Sequence, residues 1–341
     1  MGIVGSGFIA QQKHLPAWNR IKDDAAVVAL CDVNTAQAQE VARRFGVTRV
    51  YAEIGEMLEK EKIDIVDICA PPRAHAPLAI RALQNRAHVL IEKPMAVNTE
   101  ECDAIITAAR ESQRSVCVAH SDLFYPSFAR ARECVKNGEI GRFKGMRIFL
   151  STPVNYITSD ANHWAHKLPG GLIGETGPHV IYMTLAFINP ICKVRVHAQK
   201  LLQEFPWSPF EDYRLELIGE KASCSITLTY ATPHWAAQVD LWGREGLLQL
   251  DLETQSLVRY DRKSLKPAAI GRSALRQAAQ AVRATLSTGA RVLLGSFQNT
   301  HDHLVRGFVQ SIRNGAAPPV TAQEGREAVR VMAMIVETLQ Q

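Results

Sequence analysis

The chain opens on Gly2-Ile3-Val4 followed by Gly5-Ser6-Gly7-Phe8-Ile9-Ala10, and His88-Val89-Leu90-Ile91-Glu92-Lys93-Pro94 follows roughly eighty residues later. The first stretch predicts a strand and a turn that can hold a dinucleotide pyrophosphate. The second predicts a strand with a lysine at its carboxyl edge, where the nicotinamide end of such a cofactor would arrive. Either motif alone is also typical of an ordinary turn or strand end. In this order and at this spacing, they predict hydride-transfer chemistry.

Each residue of the first turn has a distinct expected role. Gly5 allows the tight turn, Gly7 lets the backbone approach the phosphates, and Ala10 lets the next helix pack closely on the strand. A helix that begins near Phe8 and Ile9 directs its free amides and its positive dipole end at the pyrophosphate. We therefore expect Gly5, Gly7, Phe8 and Ile9 to contact the cofactor.

An acidic residue then follows the second predicted strand. Asp32 lies 22 residues after Ala10, where a carboxylate accepts hydrogen bonds from a ribose diol and repels a 2′-phosphate. This predicts NAD rather than NADP; the alternative is an aspartate that merely caps a helix. Ala70-Pro71-Pro72 ends the next strand, where a backbone bend would face the cofactor, although a plain loop would look the same.

Composition limits the class of protein. The 341 residues suffice for two domains, and 47% hydrophobic with 21% charged residues is ordinary for a globular protein. A net charge of +5 is too small to indicate nucleic-acid binding. Seven scattered cysteines indicate buried thiols in a reducing cytoplasm, and the chain lacks a long apolar segment or signal peptide. We expect a cytoplasmic protein without metal or membrane contact. Because the first strand has only three residues, we also expect the natural chain to begin upstream.

The order of predicted elements indicates two domains. Up to about residue 120, strands alternate with helices, which predicts a parallel sheet with both faces covered. After residue 121, seven strand-like runs follow one another, which predicts a mostly antiparallel sheet. The expected fold is an α/β Rossmann domain over residues 1–120. An α+β domain with a large open sheet would follow over 121–341, and its closing helices could pack back on the first domain.

A second motif, Pro169-Gly170-Gly171-Leu172-Ile173-Gly174-Glu175-Thr176-Gly177-Pro178-His179, predicts a glycine-rich bend that leads into a helix. Glu175 and His179 are four residues apart and therefore share one helix face. A carboxylate one turn before an imidazole can hold its tautomer for general acid–base work. A solvated Glu–His pair is the alternative. A cleft between the domains that brought Lys93 and His179 to one substrate hydroxyl would favour the catalytic interpretation.

Taken together, these motifs resemble the glucose–fructose oxidoreductase/inositol dehydrogenase (Gfo/Idh/MocA) family. The resemblance covers nearly the whole chain. It implies a Rossmann domain, a second domain with an open sheet, and NAD(P)-linked oxidation or reduction of sugars, cyclitols and their derivatives. It also implies a homodimer or homotetramer formed through the outer face of that sheet. The matching segments are Gly5–Ala10, Asp32, Ala70–Pro72 with His75, Glu92–Pro94, Gly170–Gly171 with Glu175, Gly177 and His179, Phe308–Gly315, and Val320–Thr321.

By the same resemblance, Lys93 is the catalytic lysine and His179 is the acid–base or substrate-orienting histidine. Ala70, Pro71, His75, Glu92 and Lys93 would line the cofactor. The chain departs from the family pattern in two places. Glu175 stands where the family usually has Asp, which adds one methylene to the reach of the carboxylate. Arg73 stands where Asn is frequent and adds a positive charge beside the cofactor.

Other candidates carry weaker signals. His163-Trp164-Ala165-His166 lacks further ligands at zinc spacing. We therefore place His163, Trp164 and Lys167 at the substrate, with a loop cap as the alternative for the histidine. Asp122 and Tyr125 follow the last Rossmann strand and could face the cleft, although burial explains Tyr125 better. His301-Asp302-His303 is interpreted as a helix start.

The expected activity is NAD-dependent hydride transfer to or from a hydroxyl-bearing carbon of a sugar, cyclitol or sugar derivative. Lys93 and His179 would handle the hydroxyl proton and the developing oxyanion, with Glu175 assisting. Two alternatives remain from the sequence. One is an NAD-dependent glycoside hydrolase of the same fold, which would release product without net NADH. The other is a ligand-sensing protein without catalysis, which the presence of Lys93 and His179 disfavours.

A basic segment from Arg259 to Arg291 carries eight Lys or Arg and one acid, Asp261. Leu275, Ala279, Val282 and Leu286 recur at helical spacing. We expect a helix whose apolar stripe packs on the sheet or on a neighbouring subunit. A lid that donates arginines to an anionic substrate and a contact with an acidic membrane are the alternatives.

Overall fold

The structure is a computed structural model that describes residues 1–260, 262–294 and 299–340. These residues form two compact units. The first holds residues 1–121 and 299–330, and the second holds 122–260, 262–294 and 331–340. Each unit is built around a sheet of its own.

The first unit contains a six-stranded parallel sheet in the order β3-β2-β1-β4-β5-β6. Its central strands are buried on both faces, as expected where helices cover both sides of a parallel sheet. The strands are β1 (Gly2–Val4), β2 (Ala29–Cys31), β3 (Arg49–Tyr51), β4 (Ile65–Ile68), β5 (His88–Ile91) and β6 (Val116–Val118).

Helices connect these strands. A π-helical turn (Ala10–His14) continues into α1 (Leu15–Asn19), where Pro16 sits in the first turn and needs no amide partner. The others are α2 (Thr35–Phe45), α3 (Ile54–Lys60), α4 (His75–Gln84) and α5 (Thr99–Ser112). Asn34 and Asn98 cap α2 and α5 through their side chains.

Two helices close the chain, α9 (Thr300–Asn314) and α10 (Ala322–Gln340). Helix α9 belongs to the first unit and begins with a capping box between Asn299 and Asp302, which confirms the predicted helix start. The segment between them reaches the edge of the sheet, because the Val118 amide donates to the Val320 carbonyl at 3.2 Å.

The turn after β1 depends on a glycine for two reasons. Gly5 has φ +94°, a conformation that side chains rarely adopt, and a Cβ there would lie 2.6 Å from the Cys69 carbonyl carbon. The Gly5 amide donates to the Cys31 carbonyl, and the Cys69 amide donates to Val4. The turn is therefore clamped between the ends of β2 and β4.

The second unit contains a seven-stranded sheet in the order β13-β12-β11-β7-β10-β9-β8. All neighbouring pairs are antiparallel except β7 with β10. The strands are β7 (Phe143–Pro153), β8 (Ile191–Gln199), β9 (Asp212–Gly219), β10 (Ser223–Thr232), β11 (Ala236–Gly243), β12 (Leu247–Asp251) and β13 (Ser256–Tyr260).

Burial alternates along these strands, so one sheet face is covered and the other is open. On β9, Tyr213, Leu215 and Leu217 are buried, whereas Arg214 between them is exposed. Besides α10, the helices of this unit are α6 (Pro126–Lys136), α7 (Ile173–Leu185) and α8 (Pro267–Leu293). The Rossmann sheet and the large, mostly antiparallel sheet confirm the predicted fold class.

The prediction missed one strand. Arg49–Tyr51 forms the edge strand β3, whose three residues are exposed or half-buried and give no apolar run to detect. Cysteine burial agrees with the expectation for six of the seven thiols, and Cys192 is exposed. Within the described residues, no helix is both long enough and apolar enough to cross a membrane.

The basic segment forms a helix as predicted, but its expected packing on the sheet is wrong. Helix α8 lies against β13 through its other side, where Ser273 is buried and Gln280 accepts a hydrogen bond from the Arg259 amide at 3.0 Å. Leu275 and Leu286 are 73% and 68% exposed. Packing of this stripe on a neighbouring subunit stays a prediction. Asp261 lies outside the described residues.

Replacement of Gly5 by Ala tests the clamp. A methyl group at Gly5 must adopt the strained φ and also displace the backbone of β4. The matched control is Gly46→Ala, since Gly46 has φ +73° but open space around it. We expect Gly46→Ala to cost about 1–2 kcal/mol of stability from backbone strain alone. In thermal unfolding, Gly5→Ala should lower the midpoint clearly more. Equal midpoints would show that the approach to β4 is unimportant.

Candidate active site

The carboxylate of Asp32 is oriented by the turn that it was predicted to accompany. One of its oxygens accepts the Ser6 amide and the Ser6 hydroxyl, both at 2.7 Å, and the other accepts the Asn34 amide at 2.9 Å. Three hydrogen-bond donors fix the position of the carboxylate at the end of β2. The remaining lone pairs of the Asp32 carboxylate can accept hydrogen bonds from the two hydroxyls of a ribose.

The turn itself fits a dinucleotide. A Cβ built on Gly7 meets no atom within 4 Å, so there is open space beside this part of the turn. Helical backbone begins at Phe8, whose ring is 66% exposed, and Ile9 is half-buried. A helix start with open amides beside a glycine is the arrangement that binds pyrophosphate oxygens. The residues present therefore fit the cofactor that the sequence predicted.

The end of β5 is held from its buried side. The Lys93 amide donates to Glu92 Oε2 at 3.0 Å. The two ring nitrogens of His75 lie 2.8 Å from the Pro94 carbonyl oxygen and 2.7 Å from the Ala70 carbonyl oxygen. We expected His75 to line the cofactor, but its side chain has no exposed surface. It acts instead by joining the loop after β4 to the loop after β5.

Around that histidine, the loop residues differ in exposure. Ala70 is half-buried, Pro71 and Arg73 are exposed, and Lys93 is half-buried, so each has surface to offer a ligand. Glu92, by contrast, is only 6% exposed and its carboxylate oxygens already have donors. Glu92 therefore supports the loop from within.

A buried charged cluster lies beside Glu92, and the sequence analysis missed it. His14 Nδ1 lies 2.7 Å from Asp67 Oδ2, and His14 Nε2 lies 2.8 Å from Glu92 Oε1. The indole of Trp18 donates to the same Asp67 oxygen at 2.6 Å. His301 adds a second ring 5.0 Å from that of His14. No signal at the sequence level links positions so far apart.

In the second unit, the glycine bend and helix form as predicted. Gly170 and Gly171 both have positive φ, +80° and +69°, which only glycine adopts readily. Gly174 is also required, because a Cβ there would lie 2.6 Å from the Leu168 side chain. Helix α7 then carries Glu175 and His179.

His179 is oriented by a carboxylate, but not in the way that the spacing predicted. Its Nδ1 lies 2.7 Å from Asp122 Oδ2 and 2.7 Å from the Tyr182 hydroxyl oxygen. The Asp122 amide donates to the same tyrosine oxygen at 3.2 Å. The carboxylate at Nδ1 is thus that of Asp122, and the expectation that Glu175 fills this place is corrected. A catalytic role for Glu175 stays a prediction.

This contact decides the chemistry of the imidazole. Burial, followed by the charge of Asp122, raises the pKa of Tyr182 well above its ordinary value, so the residue remains a phenol. A carboxylate oxygen at Nδ1 favours the tautomer of His179 that carries its hydrogen on Nδ1, and this tautomer has a lone pair on Nε2. His179 is still 22% exposed at its side chain. The ring is therefore prepared to accept a proton at Nε2.

The predicted substrate residues lie on one loop of the second unit. His163 Nδ1 accepts the Ala165 amide at 3.3 Å and caps a short 3₁₀ turn (Trp164–Lys167), as the alternative interpretation foresaw. Partial burial lowers the pKa of His163. Trp164 stacks on it at a ring distance of 5.6 Å and is 48% exposed. Lys167 is also exposed. All three retain surface that a ligand could contact.

Both units have counterparts in known proteins. Residues 1–120 match the model for the oxidoreductase family with an NAD-binding Rossmann fold, and residues 128–249 match the C-terminal domain of the same family. The chain belongs to the Gfo/Idh/MocA family. NAD is accordingly its cofactor, which confirms the prediction drawn from Asp32 and the glycine turn.

Relatives of the chain include proteins named as dehydrogenases of D-apiose, myo-inositol and levoglucosan. D-apiose dehydrogenase from Paraburkholderia graminis is 22% identical over 98% of this chain and 85% of its own length. Myo-inositol 2-dehydrogenase from Thermotoga maritima is 28% identical over 45% of each chain. Levoglucosan dehydrogenase, in complex with NADH, is 20% identical, with a TM-score of 0.81 over 99% of this chain and 96% of its own.

Cofactor choice in this Gfo/Idh/MocA protein can be tested at Asp32. Asp32→Ser removes the charge and the acceptors for the ribose diol, and it removes the repulsion of a 2′-phosphate. We expect the Kd for NAD to rise about 10- to 100-fold, the scale of lost charge-assisted hydrogen bonds, and NADP binding to strengthen. Fluorescence titration with both cofactors measures each Kd. Preference of the unaltered protein for NADP would contradict the assignment.

Proposed function

We propose that this protein is an NAD-dependent dehydrogenase or reductase of a sugar, cyclitol or sugar derivative. When bound, the cofactor supplies the hydride acceptor or donor. The protein supplies the groups that hold the substrate and move its hydroxyl proton. The observation that carries the proposal is the Asp122–His179 contact of 2.7 Å, which prepares an imidazole lone pair in an enzyme of this family.

Lys93 and His179 are the two proton-handling groups of this proposal. Lys93 is half-buried at the end of β5, and Pro71 and Arg73 are exposed on the loop after β4. An ammonium group stabilises the alkoxide that develops when a hydroxyl loses its proton. His179 Nε2 accepts that proton in the oxidation direction and returns it in reduction. Support for the lysine comes from its motif and for the histidine from its hydrogen bonds.

The loop that holds His163, Trp164 and Lys167 is the proposed contact for the rest of the substrate. An exposed indole offers an apolar face to the C–H groups of a sugar ring, while the histidine and lysine offer hydrogen bonds to hydroxyls. The names of the relatives, D-apiose, myo-inositol 2- and levoglucosan dehydrogenase, support a polyhydroxylated substrate. A neutral His163 suits this role, because it donates and accepts.

A homo-oligomer in the cytoplasm completes the proposal. The open face of the second sheet carries ion pairs between neighbouring strands, such as Arg195–Glu216 and Arg147–Asp240. Because these charges are already paired, the desolvation free energy lost when a second subunit binds to this sheet face is smaller. The exposed Leu275 and Leu286 of α8 offer further apolar surface for the same purpose. Sedimentation velocity at several protein concentrations measures the assembly state.

Substitution of Lys93 tests the central role. Lys93→Ala should lower kcat by about 10²-fold or more, the scale of a lost acid–base group, and leave the Kd for NAD nearly unchanged. Lys62→Ala is the matched control, since Lys62 is an exposed lysine of the same unit. The readout is NADH absorbance with a panel of sugars, inositols and sugar nucleotides. Near-normal turnover in Lys93→Ala would reject the lysine, and product without stoichiometric NADH would indicate the hydrolase instead.

The partner of His179 is tested by comparing two conservative changes. Asp122→Asn keeps the shape but places an amide at Nδ1, so the ring can adopt the other tautomer. We expect kcat to fall about 10²- to 10⁴-fold, as when the carboxylate that orients a catalytic histidine is neutralised. Glu175→Gln should lower kcat less. A larger loss in Glu175→Gln than in Asp122→Asn would return the orienting role to Glu175.

A further inference from the structure

Four buried ionisable side chains of the first unit meet beside the end of β5. His14 and Asp67 have no exposed surface, and Glu92 and His301 are 6% and 4% exposed. They come from four parts of the first unit: the π-helical turn, β4, the loop after β5, and α9. Charged groups are rarely buried without a function or compensation.

The contacts of His14 show its protonation state. Its Nδ1 faces Asp67 Oδ2 at 2.7 Å, and its Nε2 faces Glu92 Oε1 at 2.8 Å. Ionised carboxylates only accept hydrogen bonds, so both ring nitrogens must carry a hydrogen, which makes the ring an imidazolium.

The other contacts of the two carboxylates are with donors. The Trp18 indole donates to Asp67 Oδ2 at 2.6 Å, and the Lys93 amide donates to Glu92 Oε2 at 3.0 Å. The Cys69 thiol lies 3.8 Å from Asp67 Oδ1, and burial raises its pKa to about 12, so it also keeps its hydrogen. Carboxylates surrounded by donors remain ionised.

A positive His14 offsets the charge of one of the two carboxylates. Burial is the largest single effect and opposes the charged ring, but the charge and hydrogen bond of Asp67, together with the contribution of Cys69, hold the pKa of His14 well above its ordinary value. Burial likewise opposes an ionised Glu92, yet the hydrogen bond from His14 and the nearby His301 ring hold the pKa of Glu92 well below the usual range. His301 Nε2 lies 3.6 Å from Glu92 Oε1, and burial lowers the pKa of His301, so this second ring is neutral.

We propose that His14 is a positioning residue, which remains a doubly protonated imidazolium at neutral pH and fixes Glu92 against Asp67. Glu92 in turn accepts the Lys93 amide, and His75 contacts the Pro94 carbonyl. The backbone on both sides of the Lys93 side chain is thereby held from within. The positioning role rests on the proposed function of Lys93, whereas the protonation state does not.

The protonation state is measured directly by NMR of protein with ¹⁵N-labelled histidine. At pH 8, both His14 nitrogens should give imidazolium shifts with attached hydrogens, whereas a histidine with an ordinary pKa is neutral. The signal is assigned by its loss in His14→Gln. If that variant does not fold, contact with the Trp18 indole hydrogen assigns it in the unaltered protein. A neutral His14 ring at pH 8 would overturn the proposal. So would a stoichiometric transition metal that His14→Gln loses.

Stability against pH gives a second test with an opposite control. Folding raises the pKa of His14. The stability that its charged ring contributes is therefore complete below about pH 6.5, and it is lost as the pH rises through the pKa of His14 in the folded protein. The difference in thermal midpoint between the unaltered protein and His14→Gln should therefore shrink between pH 6.5 and 9.

His75 is the opposite control. Burial lowers the pKa of His75, so His75 contributes stability that is lost as the pH falls. The deficit of His75→Gln should grow from pH 5 to 7.5. A deficit for His14→Gln that grows with pH would refute the imidazolium.

The positioning role of His14 is tested by measuring kcat and the Kd for NAD in the folded His14→Gln variant. The substrate is the one found for the unaltered enzyme. We expect kcat to fall about 10²-fold, the scale of a misplacement of about 1 Å, with the Kd for NAD nearly unchanged. Unchanged kcat would refute the positioning role. Absence of activity in the unaltered protein would instead refute the proposed function, and the NMR result would then stand alone. Equal losses of kcat and of NAD affinity would indicate a general structural role and also overturn positioning.

Discussion

The first unit depends on a histidine held between two carboxylates. His14, Asp67 and Glu92 lie on separate parts of the chain, and each would be costly to bury alone. Breaking such a group by removing one member typically destabilises a protein by about 3–5 kcal/mol, because a charge is left without compensation. The contacts therefore hold the π-helical turn (Ala10–His14), the strand β4 and the loop after β5 in one arrangement. That arrangement is the platform for Lys93.

The same principle operates in the second unit with a different result. Asp122 and Tyr182 hold His179, but this histidine keeps an exposed edge and one nitrogen lone pair. His14 has a carboxylate at each ring nitrogen, so we assign it a structural role. His179 is held at Nδ1, and in the proposed function its Nε2 transfers the proton. The protein thus uses carboxylate–histidine contacts in two ways, and solvent exposure separates them.

Sequence patterns were reliable where a local rule forces the residue type. Gly5, Gly170 and Gly171 have backbone conformations that other residues avoid, and Asp32 follows the glycine turn at the expected spacing. The same patterns were less reliable for identifying the hydrogen-bond partner of a side chain. Glu175 and His179 share a helix, yet the carboxylate on the ring comes from Asp122, 57 residues earlier in the chain. Helical spacing identifies neighbours on one helix but not groups that other segments bring to it.

The sequence by itself determined the fold class, the family and the cofactor, because strand–helix alternation, glycine placement and an acidic residue after β2 are local requirements. Tertiary structure alone decided which side chains became supports. Burial of His75, the assembly of His14 with His301, and the exposure of the Leu275–Leu286 stripe depend on packing between distant segments. No local pattern encodes such contacts, since the free energy that selects them arises only when the segments meet.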